Sequence, residues 1–290
     1  MTRILLGIAA AWLCLVVHEP ALFGGAAGVI PTRTDGLRPR FSWVVTGGPL
    51  ASLLLALSAA AILPMLADAH GLAAVELKWI RLLSASVFLF TILPLPNGAF
   101  VSAGTLLLRV LGRGPVADRE LALLTLTALQ SGGVRPRDWN GALILAGLAV
   151  RDGSMFECQF HLWSYAHELD RGHIHEADVA LDRALALAPR TVATLRAQCA
   201  LESAFFEAAH RQRPDAARAA LQRLPRRVPF VTESDRLRAA AAVALAEGRS
   251  REAADLVRRA LACAPAPAAG ERAWLEELRR RLEAPGAPAT

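Results

Sequence analysis

The pattern of hydrophobic and polar positions changes once along the chain, near residue 112. Before that point the apolar residues form long runs. Ile4–Ile30 is interrupted by charge only at Glu19, Trp43–Ala67 carries no charge, and Trp79–Pro96 carries Arg81 near its start. A helix needs about 20 apolar residues to cover a hydrocarbon core, so each run predicts a membrane span. Trp43 and Trp79 open their runs, where amphipathic rings prefer the interface. Arg3 with Ile4–Val17 and the small residues Gly24–Gly28 also resembles a signal peptide, but two later runs would still hold the chain in a membrane.

After residue 112 apolar positions recur at helical spacing and are broken by Gly, Pro and polar residues. Arg119–Leu129 and Trp139–Val150 predict two short connector helices, with Asp138 as the cap of the second. From Asp152 the pattern repeats. Gly172, Ala177, Leu181, Ala184 and Pro189 recur 76 residues later as Gly248, Ala253, Val257, Ala260 and Pro265, with Ala217, Ala220 and Pro225 as a looser middle copy. An offset of two units of about 38 residues predicts stacked helical hairpins. Small residues at these places let paired helices approach, and Pro ends the second helix of each pair. Pro214 suits a first helical turn and Asp235 a cap. A last helix near Glu271–Glu283 predicts a polar cap on the array.

Charge divides the 290 residues at the same place. Residues 1–112 are about 10% charged and the remainder about 26%, which excludes a single water-soluble globule and a disordered chain. The net charge of +6 does not make a nucleic-acid surface, because 31 of 32 basic residues are Arg with acids interspersed and one tyrosine, Tyr165. Cys14, Cys158, Cys199 and Cys263 lie far apart and form no C-x-x-C motif. His161, His167, His173 and His175 invite a metal reading, but alternate residues of a helix diverge, and they read as surface and groove histidines. Arg33, Arg38 and Arg40 fill the first inter-span loop and Arg109 and Arg113 follow the third run, so the positive-inside bias places that loop and the C-terminal part in the cytoplasm.

His18 and Glu19 sit inside the first apolar run, where ionisable groups are costly and usually functional. Pro20 beside them breaks helix. His18-Glu19, then Gly48-Pro49-Leu50-Ala51-Ser52 opening the second run, then Ile92-Leu93-Pro94-Leu95-Pro96 closing the third, resembles the site-2-protease family of intramembrane zinc metalloproteases over roughly residues 4–112. The resemblance implies His18 as a metal ligand and Glu19 as the general base on a metal-bound water. It also implies roles for Gly48, Pro49, Ser52, Thr91, Pro94 and Gly104 as motif positions. The family's second histidine falls at Leu22 and its aspartate at Ala103, while Ser52 and Thr91 replace its asparagines. Three protein ligands are the usual minimum for catalytic zinc, so the resemblance implies a degenerate, inactive relative needing no cofactor. Zinc would be the cofactor if Glu19 were active. Leu162–Pro189 resembles a tetratricopeptide repeat.

The expected architecture is all-α, with about three transmembrane helices in 1–112, a helical connector in 113–151, repeats in 152–284 and a tail in 285–290. The expected function is a multi-pass protein of a bacterial-type inner membrane whose cytoplasmic repeats bind a protein partner or membrane client. The rivals are a working intramembrane zinc endopeptidase with unorthodox ligands and a scaffold in which the spans only anchor the repeats.

Overall fold

The computed structural model describes residues 31–66, 72–94, 101–225, 228, 231–264 and 269–283. The described residues are helical, without a strand. They belong to two compact units, one reaching from Gly36 to Gly112 and one from Arg113 onward, with Pro31–Asp35 joined to the second.

In the first unit α1 (Leu37–Ile62) pairs with α2 (Leu72–Ile92), and α3 (Ala103–Leu111) packs on both. The α1 hydroxyls turn inward on their own helix: Ser42 and Thr46 donate to the carbonyls of Arg38 and Ser42 at 2.8 and 2.7 Å. That satisfies them without water. Large apolar side chains point outward instead. Trp43 is 73% exposed, Leu54, Leu57 and Phe90 are exposed too, and α2 buries no residue. Leu37, Phe41, Pro49, Ala56 and Ala59 make the buried side of α1.

Three spans were expected, and the structure corrects that count for its described residues. The first run lies outside them. The second is the stretch Leu37–Met65, 29 residues, the one helix among the described residues long and apolar enough to cross a membrane. The third run forms α2, which begins at Leu72, not Trp79, and so takes in Glu76 and Lys78 besides Arg81. Three charges in 21 residues dilute an apolar run that a start at Trp79 would have left with Arg81 alone.

The second unit stacks hairpins: α4 (Pro115–Ser131) with α5 (Gly141–Leu148), α6 (Met155–Asp170) with α7 (Ile174–Leu187), α8 (Ala193–Ala209) with α9 (Pro214–Gln222), and α10 (Glu233–Ala246) with α11 (Ser250–Cys263). Helix α12 (Ala269–Glu283) closes the described chain. The 76-residue offset holds down to single hydrogen bonds. The amides of Gly172 and His173 bond Leu169 and Glu168 at 3.0 and 2.9 Å, and those of Gly248 and Arg249 bond Leu245 and Ala244 at 3.0 and 2.8 Å. Ala177, Ala184, Ala253 and Ala260 are wholly buried between the paired helices, where a larger side chain would push them apart.

Two caps differ from expectation. Asp138 falls in a 3-10 turn (Pro136–Asp138), and Asn140 caps α5 by accepting from the Ala142 amide at 3.0 Å. Thr232 caps α10, with Asp235 completing the box by accepting from the Thr232 amide at 2.8 Å. The α4–α5 pair is no free linker: Ala122, Leu126, Trp139 and Ile144 share a core with Phe160 and Trp163 of α6.

Candidate functional site

The family-motif positions meet the structure unevenly. His18, Glu19, Leu22 and Cys14 lie outside the described residues. On α1, Gly48 is exposed, Pro49 buried and Ser52 half-buried. Thr91 spends its hydroxyl on its own helix, 2.7 Å from the Val87 carbonyl and 3.1 Å from that of Phe88. Pro94 is exposed just beyond α2. Ser102 caps α3, accepting from the Thr105 amide at 3.2 Å and donating to the Leu93 carbonyl at 2.8 Å. Gly104 is buried because its α-carbon abuts the Ile92 backbone, where a β-carbon would overlap the carbonyl oxygen. The junction of α2 and α3 is thus a backbone-to-backbone fit rather than a donor set. Among the described family positions, Ser52, Thr91 and Ala103 supply no strong zinc donor and so do not fit the family's zinc site. Among the described residues no three His, Cys, Asp or Glu gather closely enough to share an ion.

Three histidines of the second unit have polar neighbours, and Glu168 lies near two of them, His167 and His173. His167 places Nδ1 2.6 Å from the Pro136 carbonyl, and His173 Nδ1 lies 2.7 Å from Glu168. His161 lies 3.9 Å from Glu157, and burial lowers its pKa. Sequence spacing did not bring Cys158 and Cys199 together, but the stacking of α6 on α8 does. Their sulfurs are 3.7 Å apart in the core, and Cys158 donates to the Ala184 carbonyl at 3.4 Å.

The second unit carries a groove of about 800 Å³. Its walls come from the first helix of each hairpin: Gln159, Trp163 and Tyr165 on α6, Gln198, Glu202 and Phe205 on α8, Arg238 on α10. The Arg135–Trp139 turn bounds one side and α12 another, through Glu271 and Trp274. Leu275 and Leu278 of α12 enter the core of α10 and α11, which leaves Trp274 to pack edge-on against Phe205 with centroids 4.7 Å apart.

The groove floor is polar. Arg238 pairs with Glu202 and lies 4.5 Å over the Phe205 ring. Burial works against its charge, yet Glu202, Glu271 and Asp235 together hold its pKa above the usual arginine value. Ser234 donates to Glu271 at 2.6 Å. Burial raises the Glu271 pKa; Asp235 and Glu202 add to that, and Arg238 opposes it. Tyr165 is 2% exposed, and its hydroxyl faces Glu202 without a hydrogen bond of good geometry. Burial keeps it protonated. Glu202 Oε2 and Arg238 Nε are also buried without partners. These floor residues were not singled out from the sequence. The one signal available was a charge set within an apolar helical stripe, Glu202 before Phe205 and Arg238 among alanines.

No family model, curated protein or solved structure matches the chain.

Proposed function

We propose that the chain is a membrane-embedded, non-catalytic relative of site-2-type intramembrane proteases, whose tetratricopeptide-like array binds a segment of a protein partner. The observation that carries the binding reading is the groove. It is concave, lined by the first helices of successive hairpins, and carries unsatisfied polar atoms on its floor. Backbone and side chains of an extended or helical segment satisfy such atoms, which otherwise cost about 1–3 kcal/mol each. The membrane reading is supported by the outward apolar side chains of α1 and α2, which water would not tolerate as a contiguous face. The non-catalytic reading is supported by donor chemistry, since Leu22 and Ala103 stand at two of the three family ligand positions. In this reading the protein is multi-pass in a bacterial-type inner membrane, with the array in the cytoplasm.

A photo-crosslinking amino acid placed in the groove at Gln198, beside a control at the exposed Glu252, tests the proposal in intact membranes. Groove-specific adducts are expected. Identical adducts from both positions, or none from Gln198, overturn the binding reading. One zinc per chain in the purified protein, lost in His18→Ala, overturns the non-catalytic reading.

A further inference from the structure

We propose that the floor of the groove receives a cationic side chain, a guanidinium or ammonium, of the bound segment; this rests on the peptide-binding reading above. The charges on the groove floor favour a cation. Four further arginines line the rim: Arg135 is committed to Asp170, with Nη2 at 2.5 Å and Nε at 3.2 Å from its oxygens, Arg171 pairs with Glu168 and Arg280 with Glu277, and Arg137 lies beside them. On the floor three carboxylates, Glu202, Asp235 and Glu271, face a single guanidinium, Arg238. Arg238 itself is held in place by Glu202 on one side and the Phe205 ring on the other.

The unsatisfied atoms specify the same ligand. Glu202 Oε2 is an acceptor without a donor, and the wholly buried Tyr165 hydroxyl beside it has an oxygen free to accept. An ammonium or guanidinium supplies donors to both, while Arg238 Nε remains to meet a peptide carbonyl. Trp163 and Trp274 line the same groove. A carboxylate in that position would face three like charges, and an aliphatic side chain would leave Glu202 Oε2 desolvated and unpaired. Burial is the main cause of the raised Glu271 pKa, and Asp235 and Glu202 add to it.

The test uses the full-length chain in detergent micelles and acetylated, amidated alanine pentapeptides with a central arginine, glutamate or leucine, titrated by calorimetry. The arginine peptide is expected to bind about tenfold tighter than the other two, the size of one charge-assisted hydrogen bond. Glu271→Gln is expected to erase most of that preference; it removes charge but keeps the acceptor for Ser234, and it leaves the Arg238–Glu202 pair intact. Glu202→Gln is expected to do the same. If the peptides bind equally, or the glutamate peptide binds best, the cation reading falls while the peptide reading stands. An arginine preference that survives both variants also overturns it. If no peptide binds, both readings fall together.

Discussion

Gln212 holds, at φ 54°, the left-handed turn position that Gly172 holds at φ 82° in the preceding hairpin. Each immediately precedes the N-cap residue of the second helix, Arg213 and His173, and Gly248 precedes Arg249 in the same way at φ 75°. An L-residue in this conformation costs about 1–2 kcal/mol that glycine does not incur, partly offset by glycine's greater freedom when unfolded. Gln212→Gly is therefore expected to raise stability by about 1 kcal/mol. Gly172→Ala is expected to lower it by a similar amount, since no atom lies within 4 Å of the new methyl and backbone strain alone acts. Urea unfolding of the two variants checks both signs; a neutral Gln212→Gly would defeat the argument.

Gly147 on α5 lies flat against the Phe160 ring, and a β-carbon there would overlap it. Phe160 cannot retreat, because it is fully buried and packs edge-on to Trp163 at 5.2 Å. Gly147→Ala is expected to destabilise by about 1–3 kcal/mol. Adding Phe160→Leu should cost less in that background than in the parent, because the two share one volume. Additive losses in a double-mutant cycle would refute the shared-volume account.

Tyr165→Phe removes a hydroxyl that is buried without a hydrogen bond. A group of that kind costs free energy in the folded state, so the variant is expected to be as stable as the parent or more stable by about 1 kcal/mol. The same variant should bind the arginine peptide several-fold more weakly. Thermal unfolding and calorimetry read the two effects separately. A clear loss of stability would mean that the hydroxyl is satisfied in the folded chain.

Glu271 gives the array a pH dependence. Its folded pKa is raised, so the protonated form is the one the fold prefers. Its contribution is fully present below the ordinary glutamate value and is lost as pH rises through the raised one. Glu271→Gln is expected to flatten the fall in stability over that interval and to leave the variant more stable than the parent at neutral pH. Urea midpoints measured from acid to neutral pH test this. An unchanged slope would show that another group carries the effect.

How much of this was legible in the sequence depended on the range of the interaction. The hairpin period was readable because Ala177, Leu181 and Ala184 and their later counterparts meet a steric demand set within one hairpin. The α5 cap was misread because Asp138 and Asn140 are equally good caps. What decides is Trp139, buried between them with Nε1 donating to the Val134 carbonyl at 3.1 Å, which pins the 3-10 turn ahead of the helix. The groove floor was hidden because Glu202 and Arg238 are 36 residues apart and meet only when α8 stacks on α10. At the α2–α3 junction Gly104 was singled out by resemblance, and the structure supplies a local cause for it in the Ile92 carbonyl. His18 and Glu19 lie outside the described residues and keep their reading from the sequence.

A β-carbon on Gly270, near the start of α12, would fall 2.7 Å from the ring of Pro136, in the turn between α4 and α5. Arrays of hairpins ordinarily behave as one-dimensional stacks, in which each unit feels only its neighbours and the ends fray first. Here an early turn and the final helix touch. That contact ties α12 to the Pro136 turn, so α12 cannot peel away without breaking it, and the array should resist unzipping from that side.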